Sequence, residues 1–237
     1  MEPFNGRDTH MNPSADIPPE AFACGRIGNS VVAILECPGR IEEKEGHPAA
    51  GSTGLNLTRF CKSVNDKNLA REFDINGGLL PPECDMIYDR DNVLSGIMVA
   101  NACFNVHYKG HKNGKYVVED VDDVYNSALR LMHEVIAKKF VFCFGDWARS
   151  SYERMPEVCD GKKWKVYQKV VYMPHLSMSY VNRHISADVN GEDIFGGSPR
   201  ERADKRIEVY GVYSLLTLAG RIDMNFREYL ASLKLRR

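Results

Sequence analysis

VVAILECPGRIEEKEGHPAAGSTGLNLTRF, running from Val31 to Phe60, decides the fold. Val31, Val32, Ile34 and Leu35 make a short apolar run rich in branched side chains, the pattern of a strand buried on both faces. The run stops at a carboxylate, Glu36, followed by Cys37, Pro38 and Gly39, so a loop is expected to open there. Polar residues follow, and Gly46, Pro48, Gly51 and Gly54 punctuate a turn. Leu55, Leu57 and Phe60 then begin a helix that reaches about Val64, with Ser52 or Thr53 expected as its cap. Strand, acidic loop and glycine-rich helix start form one unit, the opening of an α/β sheet whose active-site loops leave its carboxyl edge.

Three further strands carry the same signature. Ile97 to Ala102 ends at Asn101, Cys103 and Asn105; Phe140 to Phe144 runs into Gly145 and Asp146, where a helix starts with Trp147 and Ala148. Val166 to Met173 stops at Pro174, directly before His175-Leu176-Ser177. Between the second and third strands, Val121, Val124, Leu129, Leu131, Met132, Val135 and Ile136 recur at helical spacing. Asp122 and Asp123 at the start of that helix, and Lys138 and Lys139 at its end, suit the helix dipole. Asn113-Gly114 between β-prone flanks marks a hairpin. A last helix is expected from about Arg200 to Gly220, burying Leu215, Leu216 and Leu218, while residues 65 to 94 carry no clear pattern.

The expectation is an α/β fold, a three-layer sandwich with a central, mostly parallel four-stranded sheet flanked by helices. Ligands of such sheets sit beyond the carboxyl ends of the strands. Those four ends deliver Glu36, Asn101 with Cys103, Gly145 with Asp146, and His175 with Ser177.

At 237 residues and 43% hydrophobic content the chain can bury a full core, and one domain is expected over 29–237. Residues 1–28, punctuated by Pro and Gly, read as an extended arm. A formal net charge of −1 excludes a strongly basic protein, so any nucleic-acid contact needs a local patch. Lys109, Lys112, Lys115, Lys162, Lys163 and Lys165 are the candidates. None of the seven cysteines forms a Cys-x-x-Cys pair, and their scatter suits a reducing cytoplasm. His107 and His111 stand four apart, but Gly110 and the hairpin spoil a helical pair, so no metal is expected. Neither a signal peptide nor a membrane span is expected, and the protein is read as a monomer. Phosphate-loop and dinucleotide fingerprints are both missing from the sequence.

Four motifs in order resemble one family. Glu36-Cys37-Pro38-Gly39, the acidic run Glu42-Glu43-Lys44, and Gly46-His47-Pro48-Ala49-Ala50-Gly51 with Gly54-Leu55 resemble the first motif of the uracil-DNA glycosylase superfamily. The nearest pattern is that of its cluster-bearing, family 4-like branch: Gly-Glu-Ala-Pro-Gly, acidic residues, Gly-x-Pro-Phe-Val-Gly, x-Ala-Gly-x-Leu. Asn101 resembles the superfamily's base-reading asparagine, Phe142 to Ala148 its strand-Gly-helix segment, and His175-Leu176-Ser177 its His-Pro-Ser motif. The resemblance spans roughly residues 30 to 183.

It implies a monofunctional DNA glycosylase that flips out a base and leaves an abasic site. Glu36 would stabilise the oxocarbenium-like sugar and orient water, and His175 would donate to the departing base. Asn101 would read the base edge through its amide, beside Cys37, Pro38, Gly39 and Ala49. Ser177, Met178, Tyr180 and Arg183 resemble a loop that wedges into DNA, and Gly51 and Ser52 would also contact the strand.

The departures matter as much. Cys24 stands alone and Asn105 occupies a ligand position, so no iron-sulfur cluster is expected, and no other cofactor is required. Cys37 stands where other branches carry Asp before the Pro, leaving Glu36 as the carboxylate for water. Ala49 stands where the family stacks Phe on uracil, a contact worth about 1–3 kcal/mol per base. A bulkier base is therefore expected, such as a 5-substituted pyrimidine of the kind found as modified cytosine in phage DNA. The biological setting would be repair or attack on modified foreign DNA. Uracil-DNA glycosylase activity proper, and a catalytically inactive DNA-binding member, stay open as alternatives.

Overall fold

A computed structural model of the chain describes residues 23–24, 30–75, 97–103, 105–108, 110, 121–135, 138–158 and 168–235. Its sheet runs β1-β3-β2-β4-β5, with β1 at Ala23–Cys24, β2 at Val31–Leu35, β3 at Met98–Asn101, β4 at Phe140–Phe144 and β5 at Lys169–Met173. Strands β2 to β5 are mutually parallel; the two-residue β1 pairs antiparallel with β3 and closes one edge. The four parallel strands are those the apolar runs predict, although β5 begins at Lys169 rather than Val166. Of the expected arm, only Ala23–Cys24 lies within the described residues.

Strand alternation builds two cores. Val31, Ala33, Leu35, Val99, Phe142 and Phe144 face one side, against α2 (Ser52–Val64), α8 (Pro199–Leu218) and α9 (Phe226–Leu235). Val32, Ile34, Ala100, Val141 and Cys143 face the other, against α4 (Val121–Val135), α5 (Asp146–Glu153) and α6 (Met155–Val158). With both faces covered, the central strands are apolar at every position, which is why they read as continuous runs. On the first side, Phe60 meets Phe142 and Phe144 edge-on at 5.3 and 5.1 Å.

Helices α2 and α8 run side by side in the same direction, Arg59 pairing with Asp204 at 2.7 Å and, one turn further along α2, Ser63 meeting Gly211 of α8. A Cβ at Gly211 would strike the Ser63 hydroxyl, with the Ser63 Cβ only 2.7 Å away. Gly211→Ala is therefore expected to destabilise the protein by about 1–3 kcal/mol through overpacking. Ser63→Gly should recover part of that loss in the double variant, and additive urea-denaturation midpoints would contradict the contact.

Several expectations need correction. The acidic stretch after β2 is not a loop: Arg40–Glu45 forms α1, whose opening Gly39 N–H is accepted by Glu42 Oε2 at 3.1 Å. Gly51, not Ser52 or Thr53, caps α2. Lys138, just past Val135 at the end of α4, is buried, and its backbone N–H donates to the Val135 carbonyl at 2.9 Å. Lys67–Glu72 forms α3, capped by the Asp66 carboxylate, which accepts from Asn68 N–H at 2.7 Å. Met178–His184 is a helix, α7, and not an open loop, because Ser177 supplies a side-chain cap for Tyr180 N–H at 3.3 Å. Helix α9 has no counterpart among the sequence expectations. The Asn113-Gly114 hairpin and all six lysines of the basic patch lie outside the described residues.

Candidate active site

The order β3-β2-β4-β5 creates a switch point. From β2 the chain passes through α2 to β3 on one side, and from β4 it passes through α5 to β5 on the other. The crevice between the carboxyl ends of β2 and β4 is where such a sheet exposes a binding site. Glu36 follows β2, while Gly145 and Asp146 follow β4. Register carries His175 to the same level: Phe144 pairs with Met173, and Gly145 N–H donates to the Met173 carbonyl at 2.7 Å.

A cavity of about 670 Å³ opens there, lined by Glu36, Gly145, Asp146, Tyr172, Met173, Pro174, His175 and Tyr180 from the sheet edge and α7. Tyr213 of α8 and the segment from Met224 to Arg227 complete the wall, as does Arg149 of α5. The expected catalytic pair is thus brought into one cavity. Glu36 and His175 stand on strands separated only by β4, roughly 10 Å apart in strand spacing. Gly145 occupies the middle position and contributes no side chain.

Glu36 leans over that glycine. Its Oε1 accepts the Trp147 N–H at 3.4 Å, at the amino end of α5, and Trp147 is anchored by its indole N–H to Ser127 at 3.1 Å. Burial nevertheless dominates and raises the Glu36 carboxyl from 4.5 to about 7; the neighbouring Asp146 charge pushes the same way and the backbone hydrogen bonds oppose it. A carboxyl balanced near neutrality can hold or release a proton during reaction.

Gly145 is required by this arrangement. Its φ of 105° and ψ of 167° lie in a region open in practice only to glycine, and a Cβ would land on the Glu36 carboxylate. Gly145→Ala is expected to cost about 1–3 kcal/mol in backbone strain alone, lowering Tm by about 2–4 °C per kcal/mol, and to displace the carboxylate. An unchanged Tm in a melting experiment would contradict that reading.

His175 is held by its own turn. Ser177 N–H donates to Nδ1 at 3.0 Å, so in the neutral ring the proton is on Nε2. Burial pushes the imidazole pKa down; the Glu42 carboxylate, buried beneath α1, pulls it the other way. The ring is therefore a neutral donor at neutral pH. Glu42 is itself raised by burial, and its proximity to His175 was invisible in the sequence because the acidic run read as solvated loop.

The turn is pinned from α2. Buried Asn56 donates its amide to the Leu176 carbonyl at 2.7 Å and to Met178 Sδ at 3.2 Å, while its own oxygen accepts from Arg59 at 3.1 Å. Leu176 is fully buried, which explains why an apolar residue follows the histidine. Met178 is thereby drawn toward α2 instead of projecting freely. Tyr180 faces the cavity and stacks on His184 at 4.2 Å, and Arg183, exposed, donates to Ser179 at 3.0 Å.

The expected base-reading residues lie elsewhere. Asn101 ends β3, on the far side of β2 from the cavity, and is buried against Leu35 in register. Ala49 has no exposed surface, belongs to the apolar core beside Leu57 and Phe60, and takes φ 58°. Its methyl is a core contact and not a wall of this cavity. Pro38 is buried, and Gly39 opens α1. Cys37 donates its thiol toward the His107 carbonyl at 3.9 Å; burial pushes its pKa far up, so it supplies no thiolate. Gly51 packs on Ile41, and Ser52 is exposed at the first turn of α2. The residues the sequence reading did not assign to the site are Arg149, Tyr172, Tyr213 and Arg227, brought in by α5, β5, α8 and α9.

Among the described residues, no three His, Cys, Asp or Glu side chains gather to hold a metal, and no helix is long and apolar enough to cross a membrane. No family model and no curated protein matches the sequence.

Proposed function

We propose that the chain is a monofunctional DNA glycosylase, hydrolysing an N-glycosidic bond in the cavity between Glu36 and His175. The observation that carries this reading is the pairing of charge states in that cavity. A carboxyl raised to about 7 and a neutral imidazole whose Nε2 holds a proton line the same cavity. Breaking the bond leaves positive charge on the sugar and negative charge on the base, and the two groups answer those two demands.

In the reaction, ionised Glu36 stabilises the oxocarbenium-like sugar and accepts a proton from the attacking water. The Nε2–H of His175 donates to the oxygen of the departing base, as a neutral donor preorganised by Ser177. Tyr172 and Tyr180 offer aromatic surface for the extruded base. The four motifs in order are the sequence support for the same reading. The cavity of about 670 Å³ has to take base, sugar and phosphate together; the support for a pyrimidine enlarged at its 5-position is the absence of the family's stacking Phe at position 49.

The test is base release from single- and double-stranded oligonucleotides carrying uracil, mismatched thymine or 5-substituted cytosines, read as alkali-labile abasic sites. Release of a bulky base is expected. Uracil alone would retain the reaction and overturn the base preference, and DNA binding without release from any substrate would overturn the reaction.

A further inference from the structure

Two arginines line the cavity and take no part in the chemistry above, Arg149 of α5 and Arg227 of α9. Arg149 is set in place: its Nε donates to Glu153 Oε1 at 2.9 Å, and its guanidinium lies 5.0 Å from the centre of the Tyr172 ring. Among the described residues its two Nη groups take no hydrogen bond, so the free edge of a preoriented fork is left over. That edge suits a phosphate, which it can engage through two parallel N–H groups.

Arg227 is placed against local preference. It is the second residue of α9, whose start is closed by Asn225 Oδ1 accepting Glu228 N–H at 3.0 Å and Glu228 Oε2 accepting Asn225 N–H at 2.9 Å. A cation in the first turn opposes the helix dipole, so α9 itself does not stabilise it. Among the described residues Arg227 has no ion pair or hydrogen bond, although it stands close enough to Tyr180 to favour the phenolate electrostatically. Arg227 is solvent-exposed at the cavity wall, so its guanidinium is accessible to a ligand there. The need for cations is plain, because Glu36 and Asp146 in the same cavity would repel a phosphorylated substrate.

We propose that Arg149 and Arg227 form the phosphate-binding wall of this cavity, holding a nucleotide phosphate while the sugar lies against Glu36. The inference rests on the nucleotide-directed reading above and deepens it by naming two specificity-determining residues. The phosphate has two sources of the same chemistry, the diester of a nucleic-acid strand and the monoester of a free nucleotide.

The test is a binding measurement, independent of base release. Anisotropy of a labelled single-stranded oligonucleotide carrying an abasic-site analogue is followed in the Glu36→Gln protein at several salt concentrations. Arg227→Gln and Arg149→Gln are added separately, with Arg221→Gln, whose arginine pairs with Asp74 at 3.3 Å, as a control. Each cavity variant is expected to weaken binding by roughly 5–10-fold at low salt and to reduce the salt slope by about 1, the control by neither. Competition by a nucleoside monophosphate or inorganic phosphate, lost in Arg227→Gln, would assign the monoester; failure to compete would assign the strand. Affinities and slopes equal to the parent in both cavity variants, or no binding of any phosphate ligand by the parent, would overturn the proposal. Arginine-dependent binding without base release would leave it standing and remove only the glycosylase reading.

Discussion

Glu36→Gln is expected to lose base release by about 10²–10⁴-fold while gaining stability above pH 7. The two effects share one cause. The folded protein holds the Glu36 carboxyl at about 7, against 4.5 for the free group. Between those values the unfolded chain has released a proton that the folded chain keeps, so folding loses ground as pH rises. The contribution is complete below pH 4.5 and is lost as pH passes 7, where the buried carboxylate costs on the order of 3 kcal/mol. Glutamine has no charge to bury and can keep the Trp147 hydrogen bond through its amide oxygen. Urea midpoints should therefore agree near pH 4 and favour the variant at pH 8. The parent's kcat/KM should climb tenfold per pH unit up to about 7 and level off, as the ionised form is the active one in the proposed reaction. A variant less stable than the parent at pH 8 would show that the hydrogen bonds at the start of α5 outweigh desolvation. A pH profile flat through 7 would remove Glu36 from the chemistry.

His175→Ala is expected to lower kcat by about 10²–10³-fold with a small change in KM. In the proposed reaction the donor acts on charge that develops on the base only as the bond breaks, so it would stabilise the transition state more than the bound substrate. Because burial holds the imidazole below its ordinary pKa, the ring stays neutral as pH falls from 8 toward 6.5. The imidazole accordingly adds no limb of its own in that range, and His175→Ala should keep the shape of the profile while lowering all of it. A shifted limb would mean that the two groups titrate together. An unchanged kcat would place the leaving-group donor elsewhere in the cavity.

Strands were legible because a parallel sheet covered on both faces leaves no polar alternation, so Val31–Leu35 and Phe140–Phe144 stand out as apolar runs. Their ends were legible for the same reason, since the runs break at Glu36 and Gly145. The short helices were not. Helix α1 has six residues, with Glu42 turned inward and Ile41 outward, an inversion that no periodicity reveals. Helix α7 depends on a Ser177 cap that follows a histidine turn, and local patterning there resembles a loop.

By itself, the sequence determined the four parallel strands, the residues standing at their carboxyl ends and the chemical types available there, because burial and chain reversal act locally on composition. Tertiary structure alone decided which of those residues share a cavity. Asn101 and Glu36 both end strands, but strand order puts β3 beyond β2 and leaves β2, β4 and β5 to frame the cavity, so His175 joins Glu36 and Asn101 does not line it. The same holds for Ala49, whose motif position suggested a pocket wall while its φ of 58° turns it into the core. Charge states, too, were decided only by the fold. The pKa of a carboxyl or an imidazole depends on what surrounds it in space, and for Glu36 and His175 those surroundings come from α5, α1 and the turn at Ser177.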